Sequence, residues 1–170
     1  MCFTVKKTLK GYALRPQLIL RTFKKDDLSE IKRLENQAFK IGPYSKRMLK
    51  RIFTAPRSFN IIAEEEKSIV GYAVVLPLGD GSFDLESIAV DPNSQSKGIG
   101  KMLIREMERQ MLARGGKVSV LEVRDINDKA IKFYQSNGYE ITEHMEKYYK
   151  LKEKESRGAY RMVKKLQARE

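Results

Sequence analysis

The chain has 170 residues, 41% of them hydrophobic, which suits one domain large enough to bury about two-thirds of its unfolded surface. Its 34 Lys and Arg outnumber 22 Asp and Glu for a net +12, so an anionic cofactor and nucleic acid are to be weighed against a surface that is merely lysine-rich. One cysteine and one histidine exclude a disulfide framework and a zinc site of the usual His/Cys kind, and no apolar run approaches the roughly 20 residues that span a bilayer.

Residues 1–16 show no period and end at Pro16, so 1–17 reads as an extension ahead of the fold. Leu18 to Phe23 reads as a strand. Asp26 and Asp27 offer an N-cap to a helix that aligns Leu28, Ile31, Leu34 and Ala38. Lys40-Ile-Gly-Pro-Tyr44 breaks it, and Ser45 caps a short second helix with Met48, Leu49 and Ile52 that stops before Pro56. Phe59–Ala63 and Ile69–Leu76 form a hairpin across Glu64–Lys67. Pro77 to Gly81 reads as a turn and Phe83–Val90 as the next strand, closed by Asp91-Pro92-Asn93. From Gly98 to Ala113 the residues Ile99, Met102, Leu103, Met107 and Met111 repeat at helical spacing, until Gly115-Gly116. Val118–Val123 is a strand. Asn127 caps a helix carrying Ala130, Ile131, Phe133 and Tyr134, which Gly138 ends. Tyr139–Thr142 is a strand. Tyr148-Tyr149, the charged stretch Lys150–Gly158 and Ala159–Leu166 suggest a last hairpin, with a tail at 167–170. The order β-α-α-β-β-β-α-β-α-β-β defines an α/β fold with a mixed sheet flanked by helices.

Gln95-Ser-Lys-Gly98-Ile-Gly100 links the strand ending at Val90 to the helix after it. Glycines there let backbone N–H groups approach an anion, and the helix N-terminus adds partial positive charge. The expected ligand carries a pyrophosphate. The turn is not a P-loop, because no Gly-Lys-Ser/Thr closes it, and its two glycines do not match a dinucleotide fingerprint.

The stretch Ile88-Ala-Val-Asp-Pro92, the glycine turn, Leu121-Glu-Val-Arg124, Asn127, Ala130, Phe133-Tyr134, Gly138-Tyr139, and Tyr148-Tyr149 followed by Ala159-Tyr-Arg-Met162 together resemble the GNAT superfamily of acetyl-CoA-dependent N-acetyltransferases. The resemblance covers 18–166, and it looks most like the RimI-type and archaeal protein N-terminal acetyltransferases. It implies a mixed, mostly antiparallel sheet whose fourth and fifth strands splay in a V, with acetyl-CoA in the opening and no metal. It also implies that Ile88, Ala89 and Val90 meet the pantetheine and thioester. Gln95, Ser96, Lys97, Gly98, Ile99, Gly100 and Lys101 would hold the pyrophosphate. Asn127 would bond the pantetheine arm, in addition to the plain N-cap that its position suggests.

An amine must be neutral to attack a thioester. A peptide α-amine loses its proton at about 7.7–8.0 and a lysine at about 10.4, so the α-amine is roughly 300-fold easier to deprotonate and a carboxylate acting through water suffices. The resemblance makes Glu122 that base, on an apolar strand where a charge is costly without purpose. Glu86 on the preceding strand is a rival. Tyr134 stands at the family's general-acid position, although an aromatic there also suits simple packing. Phe39, Tyr44, Glu86, Tyr148 and Tyr149 are the expected substrate-binding residues. His144 reads as a surface strand residue.

The expected partners are acetyl-CoA and protein N-termini, with ribosomal and other basic proteins among the candidates. The basic residues are spread along the chain, which argues against nucleic acid. A lone Cys2 and opening residues without a signal-like apolar core suggest a cytoplasmic protein not associated with membranes. Monomer and dimer both fit. The chain departs from the family in two places that line the peptide groove. Its first interhelical loop, where many members carry an acidic or Pro-rich signature, reads Phe39-Lys-Ile-Gly-Pro-Tyr44 with Lys40 rather than an acid, and its last hairpin reads Ser-Arg-Gly158-Ala in place of Gly-Glu-Asp-Ala. Lysine side chains, polyamines and other small amines therefore stay open as acceptors, as does a non-catalytic binding module.

Overall fold

The computed structural model describes residues 17–167. The expected extension and tail lie outside it except for Gln17 and Gln167. The strands are β1 (Leu18–Arg21), β2 (Phe59–Glu65), β3 (Ser68–Gly79), β4 (Ser82–Val90), β5 (Val118–Arg124), β6 (Glu140–Met145) and β7 (Ala159–Lys165). The helices are α1 (Leu28–Ala38), α2 (Lys46–Phe53), α3 (Ile99–Ala113) and α4 (Asp128–Ser136). The strands form one sheet in the order β1-β2-β3-β4-β5-β7-β6, antiparallel except where β4 meets β5.

Local chemistry sets most of these boundaries. Glu66 and Lys67, at φ 50° and 65°, make a tight turn that suits the twist of a hairpin. Both Glu64 and Glu65 therefore belong to β2 rather than to the turn expected at 64–67. β3 runs on through Pro77, where a turn was expected, because the proline sits at a register shift that spares its missing N–H. Ser45 caps α2 by accepting from the Met48 N–H at 3.2 Å. Asp27 does not cap α1 with its side chain. Its carboxylate is held by Arg21 at 2.7 and 2.9 Å and accepts the Lys24 N–H, which ties β1 to the entry of α1. The last hairpin pairs β7 with β6, so Tyr148 and Tyr149 lie in the loop between the strands rather than on an arm.

The sheet has a core on each face. Phe59, Ile61, Ala73, Val75, Phe83 and Leu85 pack with Leu103, Met107 and Met111 of α3 and Ile131 of α4. Ile62, Tyr72, Val74 and Ala89 pack under Ile31 and Leu34 of α1 and Leu49 and Phe53 of α2. β4 contributes to both because it carries a bulge. Ser87 pairs with Val74 and Asp84 with Leu76, so Leu85 and Glu86 together face Val75. The extra residue resets the alternation and bends the strand. Parallel pairing of β4 with β5 covers only Ser82–Asp84 against Val118–Val120. Beyond Asp84 the two strands part, which is the expected V.

Candidate active site

The arms of the V present unpaired backbone. The Asp91 N–H bonds the Val70 carbonyl at 2.8 Å. By the alternation of an antiparallel ladder, Ile88 and Val90 then turn their N–H and C=O groups away from β3, into the opening. The Val90 carbonyl accepts from Gln95 Nε2 at 3.3 Å, which anchors the glycine turn to the strand. Ala89 is different: its backbone faces β3, and its methyl is buried beneath α1.

The turn is shaped as a cradle. Ser96 and Gly98 both adopt positive φ, 66° and 83°, and Gly98 is the N-cap of α3. The first helical bond runs from the Met102 N–H to the Gly98 carbonyl, so the amides before Met102 have no partner inside the helix. A Cβ on Gly98 would meet nothing within 4 Å among the described residues, which leave the space before these donors open. At Gly100 a Cβ would lie 3.3 Å from the Phe133 ring, so this glycine lets α4 pack against α3. Lys97 reaches Glu65 at 3.4 Å, and Lys101 is exposed. Asn127 is exposed and caps α4, accepting from the Ala130 N–H at 3.2 Å. Open donors at a helix start and a parted strand edge fit a pyrophosphate-bearing pantetheine cofactor.

Three carboxylates converge where the strands part. Burial pushes Asp84 up to about 7, and the nearby charges of Glu86 and Glu122 add to the effect, while Arg161 opposes it. Glu122 faces Arg161 across the β5–β7 pairing, and its Oε1 accepts from Arg161 Nε at 2.9 Å. Arg161 also binds Glu143 on β6. Glu86 Oε1 accepts from the Tyr44 hydroxyl at 2.8 Å. Tyr148 is pushed up to about 12, by burial first and then by the charges of Glu122, Tyr149, Asp84 and Glu86 around it. The structure thus brings Glu86, Glu122, Tyr44, Tyr148 and Tyr149 to one floor and adds Asp84 and Arg161.

Two further arrangements hold this floor. Glu35, only 2% exposed, accepts the Tyr44 N–H at 2.8 Å and the Tyr72 hydroxyl, which also contacts Ser87 at 3.1 Å beside the β4 bulge. Burial raises the Glu35 carboxyl in spite of these bonds. On the other side the Arg124 guanidinium lies 4.0 Å above the Tyr149 ring, pairs with Glu153 at 3.2 Å and reaches the Leu151 carbonyl. Asp125 completes the clamp by accepting from the Ser156 hydroxyl at 2.7 Å, with His144 at 2.9 Å. Burial pushes Asp125 up, but those two bonds, the charge of His144 and a backbone N–H together hold the carboxyl low.

Tyr134 sits on α4, edge-on to Phe133 and Tyr139. Its hydroxyl has no hydrogen-bond partner among the described residues. Desolvation raises the phenol above its ordinary value, with a smaller contribution from Tyr149, so it is protonated at neutral pH. Phe39 ends α1 and, like Tyr44, packs half-buried against the α1–α2 core.

A parted strand pair beside a donor-rich cradle, with carboxylates and a phenol nearby, fits the chemistry of a CoA-dependent acyltransferase. Comparison with known proteins agrees. The acetyltransferase (GNAT) family profile matches residues 26–139. The N-alpha-acetyltransferase RimI of Mycobacterium tuberculosis is 34% identical over 130 residues, 74% of this chain and 80% of that protein. The ribosomal-protein-S18-alanine N-acetyltransferase of Escherichia coli superposes with a TM-score of 0.80 at 23% identity, over 91% of this chain and 97% of its own. Arabidopsis thaliana Naa50, in complex with the bisubstrate analogue CoA-Ac-MVNAL, superposes with 0.75 at 22% identity, over 86% and 97%. The chain belongs to the GNAT family and is an N-acetyltransferase that uses acetyl-CoA. Among the described residues no helix is long and apolar enough to cross a membrane.

Asp84, Arg161, Glu35 and Arg124 escaped the sequence reading as site residues. Asp84 left one signal, its i, i+2 spacing to Glu86, the two acids of a strand otherwise made of apolar residues and two serines.

Proposed function

We propose that this enzyme transfers acetyl from acetyl-CoA to the α-amine of protein N-termini. The observation that carries the reading is the carboxyl cluster at the apex of the V, with one member near pH 7. Moving a proton from an α-amine to such a group is uphill by about 1 kcal/mol, and from a lysine by about 5 kcal/mol. The 34%-identical N-alpha-acetyltransferase RimI of Mycobacterium tuberculosis supports the same choice.

Acetyl-CoA supplies an activated thioester. The cradle amides from Ser96 to Lys101 and the backbone of Ile88 and Val90 would hold it, with Asn127 at the edge. Glu86 and Glu122 draw the ammonium to the floor between Tyr44, Tyr148 and Tyr149. The proton passes through water to Asp84, which stands beside Glu86 and Glu122. Tyr134 Oη holds the proton or hydrogen bond that a departing thiolate needs. Arg161 orients Glu122, and Glu35 positions Tyr44. A lone cysteine suits a reducing, cytoplasmic setting, and a ribosomal N-terminus is one substrate to test.

A pair of inhibitors tests this reading. CoA joined through an acetyl group to a peptide α-nitrogen should bind at least about 100-fold tighter than the same CoA joined to a lysine ε-nitrogen. Equal or reversed affinity would contradict it.

A further inference from the structure

Between Glu35 and Glu64 the chain carries Lys40, Lys46, Arg47, Lys50, Arg51 and Arg57 and no acid. Arg47 and Arg51 are exposed and stand one turn apart on α2, so they share a face. Neither meets an acceptor among the described residues. With Pro43, Tyr44, Ser45 and Met48 they line a cavity of about 280 Å³. Tyr44 belongs to both places: it borders the cavity, and its hydroxyl reaches Glu86 on the floor of the V. The cavity therefore lies about a tyrosine's length from the carboxylates, a gap that roughly two or three residues of extended peptide cross.

The opposite wall repeats this charge. Leu151 of the β6–β7 loop would stand 3.8 Å from a Cβ on Gly42, so that loop faces the α1–α2 loop. It brings Lys147, Lys150, Lys152, Lys154 and Arg157 against Glu146, Glu153 and Glu155, and the last two of these acids are engaged by Arg124 and Lys152. The entrance is thus basic and the floor acidic. A chain that enters with its ammonium first satisfies both only if its next side chains are acidic. Two unpartnered guanidiniums at a cavity suit carboxylates, which they bind through paired N–H donors.

We propose that the cavity at Arg47 and Arg51 is a subsite for an acidic side chain roughly two or three residues downstream of the acetylated amine, an inference that rests on the α-amine reading above. It selects acidic N-termini over the basic proteins that the sequence suggested.

The test uses the full chain and three peptides with the same free first residue, whose second to fourth residues are acidic, neutral or basic. The acidic peptide should exceed the neutral one in kcat/KM by about 5- to 20-fold, mostly through KM, as two exposed ion pairs allow. The advantage should shrink between about 0.05 and 0.5 M salt. In R47E/R51E the acidic-to-neutral ratio should fall to about one or below. A variant harmed only in folding would lower both rates and keep the ratio, which would overturn the assignment. So would equal rates on all three peptides with the wild type, and so would an equal loss of acetyl-CoA affinity, which would place the arginines on the cofactor. Equal rates leave the α-amine reading standing. Acetylation of lysine side chains alone would overturn both.

Discussion

Asp84→Asn exchanges a carboxyl for an amide of nearly the same shape at the apex of the V. The wild-type carboxyl moves from an ordinary 3.8 to about 7, through burial first and then the charges of Glu86 and Glu122. At about 1.4 kcal/mol per tenfold change, holding it charged costs the fold roughly 4 kcal/mol. Its folded value is raised, so between about pH 4 and 7 the native state keeps a proton that the unfolded chain releases. The cost therefore grows as pH rises through that window and is complete above it. The amide has no charge to lose but must still be desolvated, so a net gain of about 1–3 kcal/mol is expected at pH 8 and little at pH 5. Activity moves the other way. The wild-type kcat on a free-N-terminus peptide should rise through pH 7 as Asp84 loses its proton. The variant should lose that inflection and fall about 10- to 1000-fold. Urea unfolding at the two pH values and a kcat–pH profile read both effects. A stability difference that does not depend on pH, with an unmoved profile, would refute the reasoning.

Three further outcomes follow from the same geometry. Tyr134→Phe removes a hydroxyl that has no partner among the described residues, so thermal stability and acetyl-CoA affinity should hold while kcat drops about 100-fold or more; a fully active variant would remove Tyr134 from the chemistry. Gly98→Ala places a methyl on a residue at φ 83° facing the open cradle. It should cost about 1 kcal/mol of stability but weaken CoA binding by calorimetry about tenfold or more, and unchanged binding would show that the ligand's phosphates lie elsewhere. Gly158→Ala drives a Cβ to 2.0 Å from Asp125 Oδ2. It should cost about 2 kcal/mol and raise KM for peptide more than for acetyl-CoA, because Asp125 holds the loop that carries Tyr148 and Tyr149.

Element order was legible because apolar periods and turn residues agree along most of the chain. Ser45, Asn127 and Gly98 announce their helices, and the Leu103–Met107–Met111 spacing shows the buried side of α3. What was not legible depends on pairing across distance. The β4 bulge appears only when Ser87 finds Val74, and it alone explains why Phe83 and Ala89 serve opposite cores. Asp84 looked like one more polar residue on a strand, since its burial and its neighbour Glu122 come from β5. Glu122 stood out by its apolar neighbours, but its partner Arg161 lies 39 residues away. Arg124 likewise belongs to the site only through the loop that it clamps.

The most direct measurement is the position of the acetyl group, read by tandem mass spectrometry, on one peptide that bears both a free N-terminus and an internal lysine. Acetyl on the α-nitrogen, in a reaction that Asp84→Asn slows, is the predicted result. Acetyl on the lysine ε-nitrogen, or an unslowed reaction, would contradict the account.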